Sequence, residues 1–359
     1  MSNHLQRLEI ENYRGFDQLT LDDLADVNVI VGRNNVGKTA LFEALVLLGW
    51  PCHVDNSVTL NEIRGLPKLA ATTEETWSLH FNQRHAGLPV RILGSGAEGS
   101  RRELTLRMGQ GAELIKDRNG AGGSPLEPNL SALRQQSVVR FEFEHSNGES
   151  AWAIAAVVGG KLAVIDSSVL PSPVMSCHAS TWRLLVEAPQ LYSDVVRAGQ
   201  ERMFLEGIRS IDADISRFDL LTRAGIPTLH ASLGDGPLLP VQVMGDGVAR
   251  VASWLLAITR LSDAWYLIDE VEAGIHHSAL VNVWRVLIET AKRRNVQVFA
   301  TTHSYEALEA LNEAHRSLSK RNRPSMRVIR LQKTRDEIGV IPYDEGVLAA
   351  AVSGEVEVR

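Results

Sequence analysis

The spacing of apolar residues changes character along the chain, and each change predicts an element. Leu5 to Tyr13 alternates apolar and polar side chains, as a half-buried strand does. Tyr13-Arg14-Gly15-Phe16 reads as a turn, and Gln18 to Leu21 resumes the extended pattern. Val27 to Val31 is a short run rich in β-branched residues, the signature of a parallel strand covered on both faces. Leu41, Ala44, Leu45 and Leu48 then recur at helical spacing until Gly49 and Pro51 stop the helix. Residues 52 to 71 show no clear period.

From 77 to 166 the strand period returns. Strands are expected at Trp77 to Phe81, Val90 to Leu93, Glu103 to Met108, Ala112 to Lys116, Val138 to Glu144, Ala151 to Val158 and Lys161 to Ile165. Gly94, Gly96, Gly99, Gly109 and Gly111 punctuate them as turns, and Gly159-Gly160 reads as a hairpin turn. Asn119 to Pro128 is expected to be a flexible loop, and Pro171 with Pro173 to mark a boundary. Residues 188 to 222 read as mostly helical: Leu191, Val195 and Val196 first, then Met203 and Leu205, with Leu205, Ile208, Ile211 and Ile215 three or four positions apart.

Beyond that boundary strands and helices alternate. Thr228 to Leu233 and Leu239 to Val243 are expected strands, and Gly245-Asp246-Gly247 opens a helix to about Arg260. Trp265 to Ile268 is an apolar strand, a helix covers roughly 278 to 293, and Val296 to Ala300 is a further buried strand. A helix to about 318, strands at Met326 to Leu331 and Ile338 to Pro342, and a short helix near 345 to 352 complete the pattern. There is no internal repeat.

Composition narrows the class without naming a function. At 359 residues and 44% hydrophobic content the chain can bury one large core or two smaller ones. A net charge of −6 and a pI near 6.0 argue against a general nucleic-acid coat protein, while leaving a local basic face open. Cys52 and Cys177 are the only cysteines, so neither a disulfide framework nor a cysteine-based zinc site is expected. Met1 to Glu11 lacks an apolar signal core, and no run of about 18 apolar residues suggests a membrane span. A cytoplasmic location with no membrane partner is the resulting expectation.

The chemistry begins where the first buried strand ends. Gly32-Arg33-Asn34-Asn35-Val36-Gly37-Lys38-Thr39 fits G-x-x-x-x-G-K-[ST], set between an apolar strand and a helix. The glycines let successive N–H groups turn inward around a triphosphate, and the helix N-terminus faces the same charge. Lys38 is expected on the β- and γ-phosphates, and the Thr39 hydroxyl on magnesium. The bland alternative, a chance glycine turn, does not account for strand, loop and helix in this order. ATP and Mg2+ are therefore the expected ligands.

A second apolar strand ends in Asp269-Glu270. An aspartate there can support magnesium through a coordinated water, and the next carboxylate can orient or deprotonate the attacking water. Alone, such a pair is as readily acidic surface; beside a complete phosphate loop it becomes informative. His303 follows the next buried strand, where it can touch the γ-phosphate or the water, although a lone histidine is more often structural. Gly245-Asp246-Gly247 places glycines before a helix N-terminus, a second anion-binding device suited to a partner's γ-phosphate.

Taken together, Asn12-Tyr13-Arg14-Gly15-Phe16, Gly32 to Thr39, Gly245-Asp246-Gly247, Leu267 to His276 and Thr301-Thr302-His303-Ser304 resemble the ABC-type ATPase heads. The relatives are SMC and break-repair ATPases, in particular the AAA15/OLD (overcoming lysogenisation defect) group. The resemblance covers roughly 1 to 60 and 225 to 345. It implies an α/β P-loop NTPase with an N-terminal β subdomain and a helical insertion, closing head to head around two ATP molecules. By it Lys38 and Thr39 grip phosphate and magnesium, Asp269 supports magnesium, Glu270 is the base and His303 the switch histidine. Arg14 falls among the nucleotide-binding residues, and Gly245, Asp246 and Gly247 act in trans. Glu272 to His277 takes the place of the loop crossing the dimer interface, which makes His276 and His277 interface residues rather than metal ligands.

On this reading residues 1–359 form a single head. It comprises an N-terminal lobe at 1–60, a β-rich subdomain at 77–166, a helical insertion at 180–225 and a C-terminal lobe at 226–359. Departures from the pattern mean that some near relatives, and a TOPRIM domain, are not expected. Without Ser-Gly-Gly-Gln at the signature a transporter subunit is not expected, and without long heptads an SMC arm is not. OLD nucleases carry a TOPRIM domain, and only a short tail follows Pro342. Asp212-Ala213-Asp214 reads as solvated helix face. The expected function is an ATPase that forms a homodimer or larger oligomer and controls a separate nuclease or toxin effector, in anti-phage defence by analogy. Two alternatives remain: a repair ATPase acting on DNA through the basic runs Lys292-Arg293-Arg294 and Lys320 to Arg323 with Arg327 and Arg330, or a non-hydrolysing ATP-bound scaffold.

Overall fold

The computed structural model describes residues 3–85, 87–115, 133–166, 170, 174–177, 181–223, 225–334 and 337–353. Its chain forms two compact units that interleave in sequence: Met1–Asp23, Asn34–Val174 and Gln332–Val340 make the first, Leu24–Arg33, Met175–Leu331 and Ile341–Arg359 the second. The expected loop at Asn119 to Pro128 and the boundary at Pro171 and Pro173 lie outside the described residues.

The chain opens with β1 (Leu5–Tyr13) and β2 (Phe16–Leu21), antiparallel about the Arg14-Gly15 turn. β3 (Val27–Val31) belongs to the second unit. The first unit continues with α1 (Lys38–Gly49), α2 (Val54–Ile63), α3 (Thr73–Trp77), β4 (Val90–Gly96), β5 (Arg101–Gln110) and α4 (Gly111–Leu114). β6 (Ser137–His145), β7 (Ser150–Val158) and β8 (Lys161–Asp166) complete a seven-stranded antiparallel sheet ordered β2-β1-β4-β5-β6-β7-β8. Gly159 and Gly160 both hold positive φ between Val158 and Lys161, as a two-residue hairpin turn with the twist of its strands demands.

Two expected strands are helical instead. Trp77 ends α3 and a 3-10 turn follows over Ser78–His80, because the Thr72 hydroxyl accepts the Glu75 N–H at 3.1 Å and caps the helix. This local cap outweighs the β-propensity of Trp77 and Phe81. Trp77 is fully buried, and its indole N–H donates to the Ser57 hydroxyl at 3.0 Å. The expected strand from Ala112 to Lys116 becomes the single turn α4, with Lys116 outside the described residues. A Cβ on Gly111 would lie 2.0 Å from the Leu133 carbonyl, so glycine there serves a close approach.

Most of the second sheet, six strands ordered β16-β15-β3-β14-β13-β9, belongs to the second unit. After β9 (Val174–Cys177) come α5 (Thr181–Arg197) and α6 (Glu201–Arg209). A small antiparallel sheet follows, made of β10 (Ile215–Arg223), β11 (Ile226–Leu233) and β12 (Leu238–Pro240). Then come α7 (Asp246–Arg260), β13 (Ala264–Ile268), α8 (Leu280–Arg294), β14 (Val296–Thr301) and α9 (Tyr305–Ser317). β15 (Met326–Lys333), β16 (Ile338–Tyr343) and α10 (Glu345–Ser353) end the described chain.

The helical reading of 188 to 222 fails at its end. α6 stops at Arg209, and Ile215 begins a strand. Asp212 and Asp214 lie in the turn between them, where the Asp212 carboxylate accepts the Asp214 N–H at 3.1 Å, and not on a helix face. Ile208, Ile211 and Ile215 keep a near-helical interval across a short turn, while Ile215 to Arg223 is held extended by antiparallel pairing with β11.

β3, β13 and β14 are buried at every position, as strands covered on both faces should be. β3 pairs in parallel with β14 and with β15, and β14 in parallel with β13. Trp254 of α7 and Trp284 of α8 fill the core beside them, and the Trp284 indole donates to the Ala307 carbonyl at 2.9 Å. Because these strands are parallel, the chain leaves β3, β13 and β14 at one common end of the sheet, the usual place for a site in an open α/β sheet.

Candidate nucleotide-binding and hydrolysis site

The phosphate loop takes the backbone shape its sequence requires. Gly32 (φ 140°), Asn35 (φ 63°) and Gly37 (φ 104°) all have positive φ. A Cβ on Gly37 would lie 2.8 Å from the Phe16 ring, so both backbone and packing demand glycine. Arg33, Asn34 and Asn35 are exposed, and buried Val36 anchors the loop between them and α1. α1 starts on Gly37 with no side-chain cap and no acidic residue in its first turn, the kind of helix N-terminus that favours an anion. Lys38 is buried and Thr39 half-buried at that turn.

One turn further along α1, Glu43 is wholly buried. The Arg14 Nε meets it at 2.5 Å, and Arg64 holds it with Nε at 2.6 Å and Nη2 at 2.9 Å. Arg14 Nη1 also donates to the Leu79 carbonyl at 3.3 Å, and its guanidinium lies 5.6 Å from the Tyr13 ring centre. The structure thus sets Arg14, expected on the nucleotide, against the helix that carries the loop. Glu43 itself was not anticipated, although a carboxylate inside the apolar run Leu41-Phe42-Glu43-Ala44-Leu45 signals a buried partner. The cluster perturbs its neighbours. Burial, then the nearby Arg14 cation, push the His80 imidazole down to about 3, and burial followed by the Glu43 charge raises the Tyr13 hydroxyl.

In the second unit Thr301 organises the carboxylates. Its hydroxyl donates to Asp269 Oδ1 at 2.5 Å and accepts the Glu270 N–H at 2.8 Å, while its carbonyl accepts the Val271 N–H at 3.1 Å. Glu270 holds φ 51°, a strained setting for a non-glycine residue that these bonds maintain. His303 Nε2 lies 3.9 Å from Glu270 Oε1, both side chains being partly open to solvent. The His303 N–H donates to Glu272 Oε1 at 2.7 Å. The Thr302 N–H donates to the Ile30 carbonyl at 3.2 Å, tying the end of β14 to the strand that feeds the loop. Asp269, Glu270, His303 and Gly32 therefore share one end of the sheet.

Gly245 (φ 97°) is the N-cap of α7, again without a side-chain cap, and Gly245 and Asp246 are exposed. A Cβ on Gly247 would lie 3.0 Å from the Gly274 carbonyl, so α7 packs directly on the loop that follows Glu272. In that loop His276 and His277 are exposed, their rings 4.2 Å apart, and His276 Nδ1 accepts from the Ser278 N–H. The basic runs are partly committed to structure. Lys292 pairs with Asp26 at 3.7 Å, Arg294 donates to the Leu261 carbonyl at 2.7 Å, and Arg323 to those of Arg316 and Leu318. Lys320 and Arg321 are exposed. No helix among the described residues is long and apolar enough to cross a membrane.

Comparison with known proteins meets this geometry from outside. Residues 4–59 match the family described as AAA ATPase domain, and residues 178–309 that described as AAA domain, putative AbiEii toxin, Type IV TA system. An ATP/GTP phosphatase of Helicobacter pylori is 24% identical over 343 residues, spanning 87% of this chain and 88% of that protein. The DNA replication and repair protein RecF of Oceanobacillus iheyensis is 45% identical over 47 residues, 13% of each chain. A solved SMC head bound to the C-winged helix domain of ScpA superposes with a TM-score of 0.52 over 95% of this chain and 98% of that one, at 12% identity. That last likeness concerns fold alone. ATPase-domain matches at both ends of the loop-to-histidine set, with a nucleotide phosphatase relative across most of the length, support nucleotide hydrolysis.

Proposed function

We infer that this chain, an ATPase of the AAA15/SMC-like type, binds ATP on Gly32 to Thr39 and hydrolyses it with Glu270 as general base. The observation that carries the reading is the Thr301 hydroxyl, which fixes Asp269 and Glu270 together at the end of the sheet where β3 delivers the loop. In the reaction water attacks the γ-phosphorus while Glu270 takes its proton. The bond to the β,γ-bridging oxygen breaks, and ADP and phosphate leave. His303, 3.9 Å from Glu270, orients the water or the γ-phosphate. Lys38 and the N–H groups of Gly37 and α1 hold the phosphates.

Magnesium fits the donors present. The Thr39 hydroxyl and the Asp269 carboxylate are hard oxygen ligands, and Asp269 spends only Oδ1 on Thr301. Thr39 by the phosphate-loop motif and Asp269 by its strand-end position are each a donor the ion would take, and the ion would supply charge neutralisation on the phosphates.

The exposed, uncapped start of α7 at Gly245 and Asp246 supports a head-to-head dimer in which that helix meets a partner's nucleotide. ATP would close the dimer, hydrolysis would reopen it, and a separate nuclease or toxin would read the state, in anti-phage defence. The toxin wording attached to the family matched by residues 178–309 favours an effector of that kind.

Size-exclusion light scattering of Glu270→Gln, with and without ATP and magnesium, tests this. An ATP-dependent rise in mass is expected, because blocked hydrolysis traps the closed form. A protein that binds ATP yet stays monomeric at every concentration would overturn the dimer.

A further inference from the structure

The strongest unassigned contact near the site is Glu272. It is two residues past the proposed base, on the loop that continues through the exposed Gly274, His276 and His277. Its Oε1 accepts the backbone N–H of His303 at 2.7 Å, bridging the segment after β13 to the segment after β14. Its Oε2 is enclosed without a hydrogen-bond partner. On the other side Thr301 makes three bonds to the same segment, through Asp269, Glu270 and Val271. The two segments are thus fastened at both ends, and among the described residues it is the Glu272 bond that fixes the backbone of His303 itself.

We propose that Glu272 is a positioning residue for hydrolysis, setting the place of His303 through the Glu272 Oε1 to His303 N–H bond. The proposal rests on the reading of His303 and Glu270 given above. Three features of the contact decide what it does. First, it grips main chain, so it fixes where the imidazole starts without touching the imidazole. Second, it uses one oxygen, and the other has no partner, so the neutral oxygen of an amide can serve equally. The contact therefore requires reach and an acceptor, not charge. Third, Glu272 heads the loop against which α7 packs through Gly274 and Gly247. A displacement of that loop would reach His303 directly.

A small displacement of a group that orients the attacking water costs rate far more than it costs binding. Steady-state ATP hydrolysis of Glu272→Ala, Glu272→Asp and Glu272→Gln tests the proposal, with Glu270→Gln, His303→Ala and His303→Ala/Glu272→Ala measured alongside. Alanine, which lacks the acceptor, and aspartate, one methylene too short, are expected to lower kcat roughly tenfold with KM for ATP within about twofold. Glutamine is expected to recover at least half of the wild-type kcat. The double variant is expected to be no slower than His303→Ala alone, because Glu272 acts only through that residue. Thermal melting of each variant separates this from misfolding, since Glu272→Ala and Glu272→Gln should melt within a few degrees of each other.

A full rate in Glu272→Ala, or a loss that adds to that of His303→Ala, overturns the proposal. So does a glutamine variant as slow as alanine. The parent reading fails separately: it falls if Glu270→Gln hydrolyses ATP at the wild-type rate, whatever Glu272 does.

Discussion

At the scale of single residues the arrangement turns on groups that the motif does not name. Thr301 is fully buried, and its hydroxyl is at once donor to Asp269 and acceptor from Glu270. Thr301→Val keeps the shape and removes both bonds, leaving the Glu270 N–H without its acceptor. Loss of a bond to a charged group and an unmet amide together cost about 1–3 kcal/mol. Urea unfolding is expected to show a loss of that size, and kcat to fall by roughly 10- to 100-fold with little change in KM. A variant with full activity would mean that Asp269 and Glu270 hold their places without Thr301. By contrast Gly32, Gly37, Lys38 and Thr39 were legible directly, because the phosphate loop is a local device whose backbone needs are written in eight consecutive residues. Thr301 and Glu272 were not. Their roles come from pairing β13 with β14, a relation between residues about thirty positions apart that no local pattern encodes.

At the scale of elements, α1 is held from two sides by one buried ion-pair cluster. Arg14 comes from the β1–β2 turn and Arg64 from the end of α2, and both reach Glu43 inside α1. Breaking a buried pair strands the remaining charge, at a cost of about 3–5 kcal/mol. Glu43→Ala should therefore destabilise by about 3 kcal/mol and weaken ATP binding, since the first turn of α1 then loses its anchor. Arg64→Ala should cost only about 1 kcal/mol, because Arg64 is one-third exposed and Arg14 still neutralises Glu43. Urea denaturation and nucleotide titration of the two variants check the order, and equal losses would contradict it. The same scale shows where sequence reading succeeds and fails. β3, β13 and β14 announce themselves as apolar runs because both faces are covered. α3 was misread because Trp77 and Phe81 favour strand, whereas the Thr72 cap that decides the matter is one hydrogen bond. The end of α6 was misread because an isoleucine spacing continued across a turn.

At the scale of the whole molecule, the buried histidine makes stability depend on pH in a window that carboxylates do not share. His80 is fully buried beside Arg14, with Tyr13 and Arg64 as its other titratable neighbours, and burial followed by the Arg14 charge holds its pKa at about 3 against 6.5 in an open chain. The unfolded chain therefore binds a proton below 6.5 that the folded chain refuses until about 3. Stability is fully present above 6.5 and falls as pH drops toward 3. Between pH 7 and pH 5 the loss from this group alone is about 2 kcal/mol. Glu74 and Glu103, each lowered chiefly by a hydrogen bond, to Ser137 and to Arg91 respectively, add their losses only below the ordinary carboxylate range. His145, lowered by partial burial, adds a smaller loss with the same sign. Urea unfolding at pH 7 and pH 5 is expected to show the 2 kcal/mol difference, and His80→Phe to remove most of it, because phenylalanine fills the site beside Tyr13 and binds no proton in either state. Since His80 belongs to the unit that carries α1, acid should lower nucleotide affinity through the same unfolding equilibrium. Added ATP should then offset part of the loss at pH 5 by binding only the folded form. A pH-independent stability in this range would mean that His80 carries no such shift, and a phenylalanine variant that keeps the full dependence would place the titrating group elsewhere.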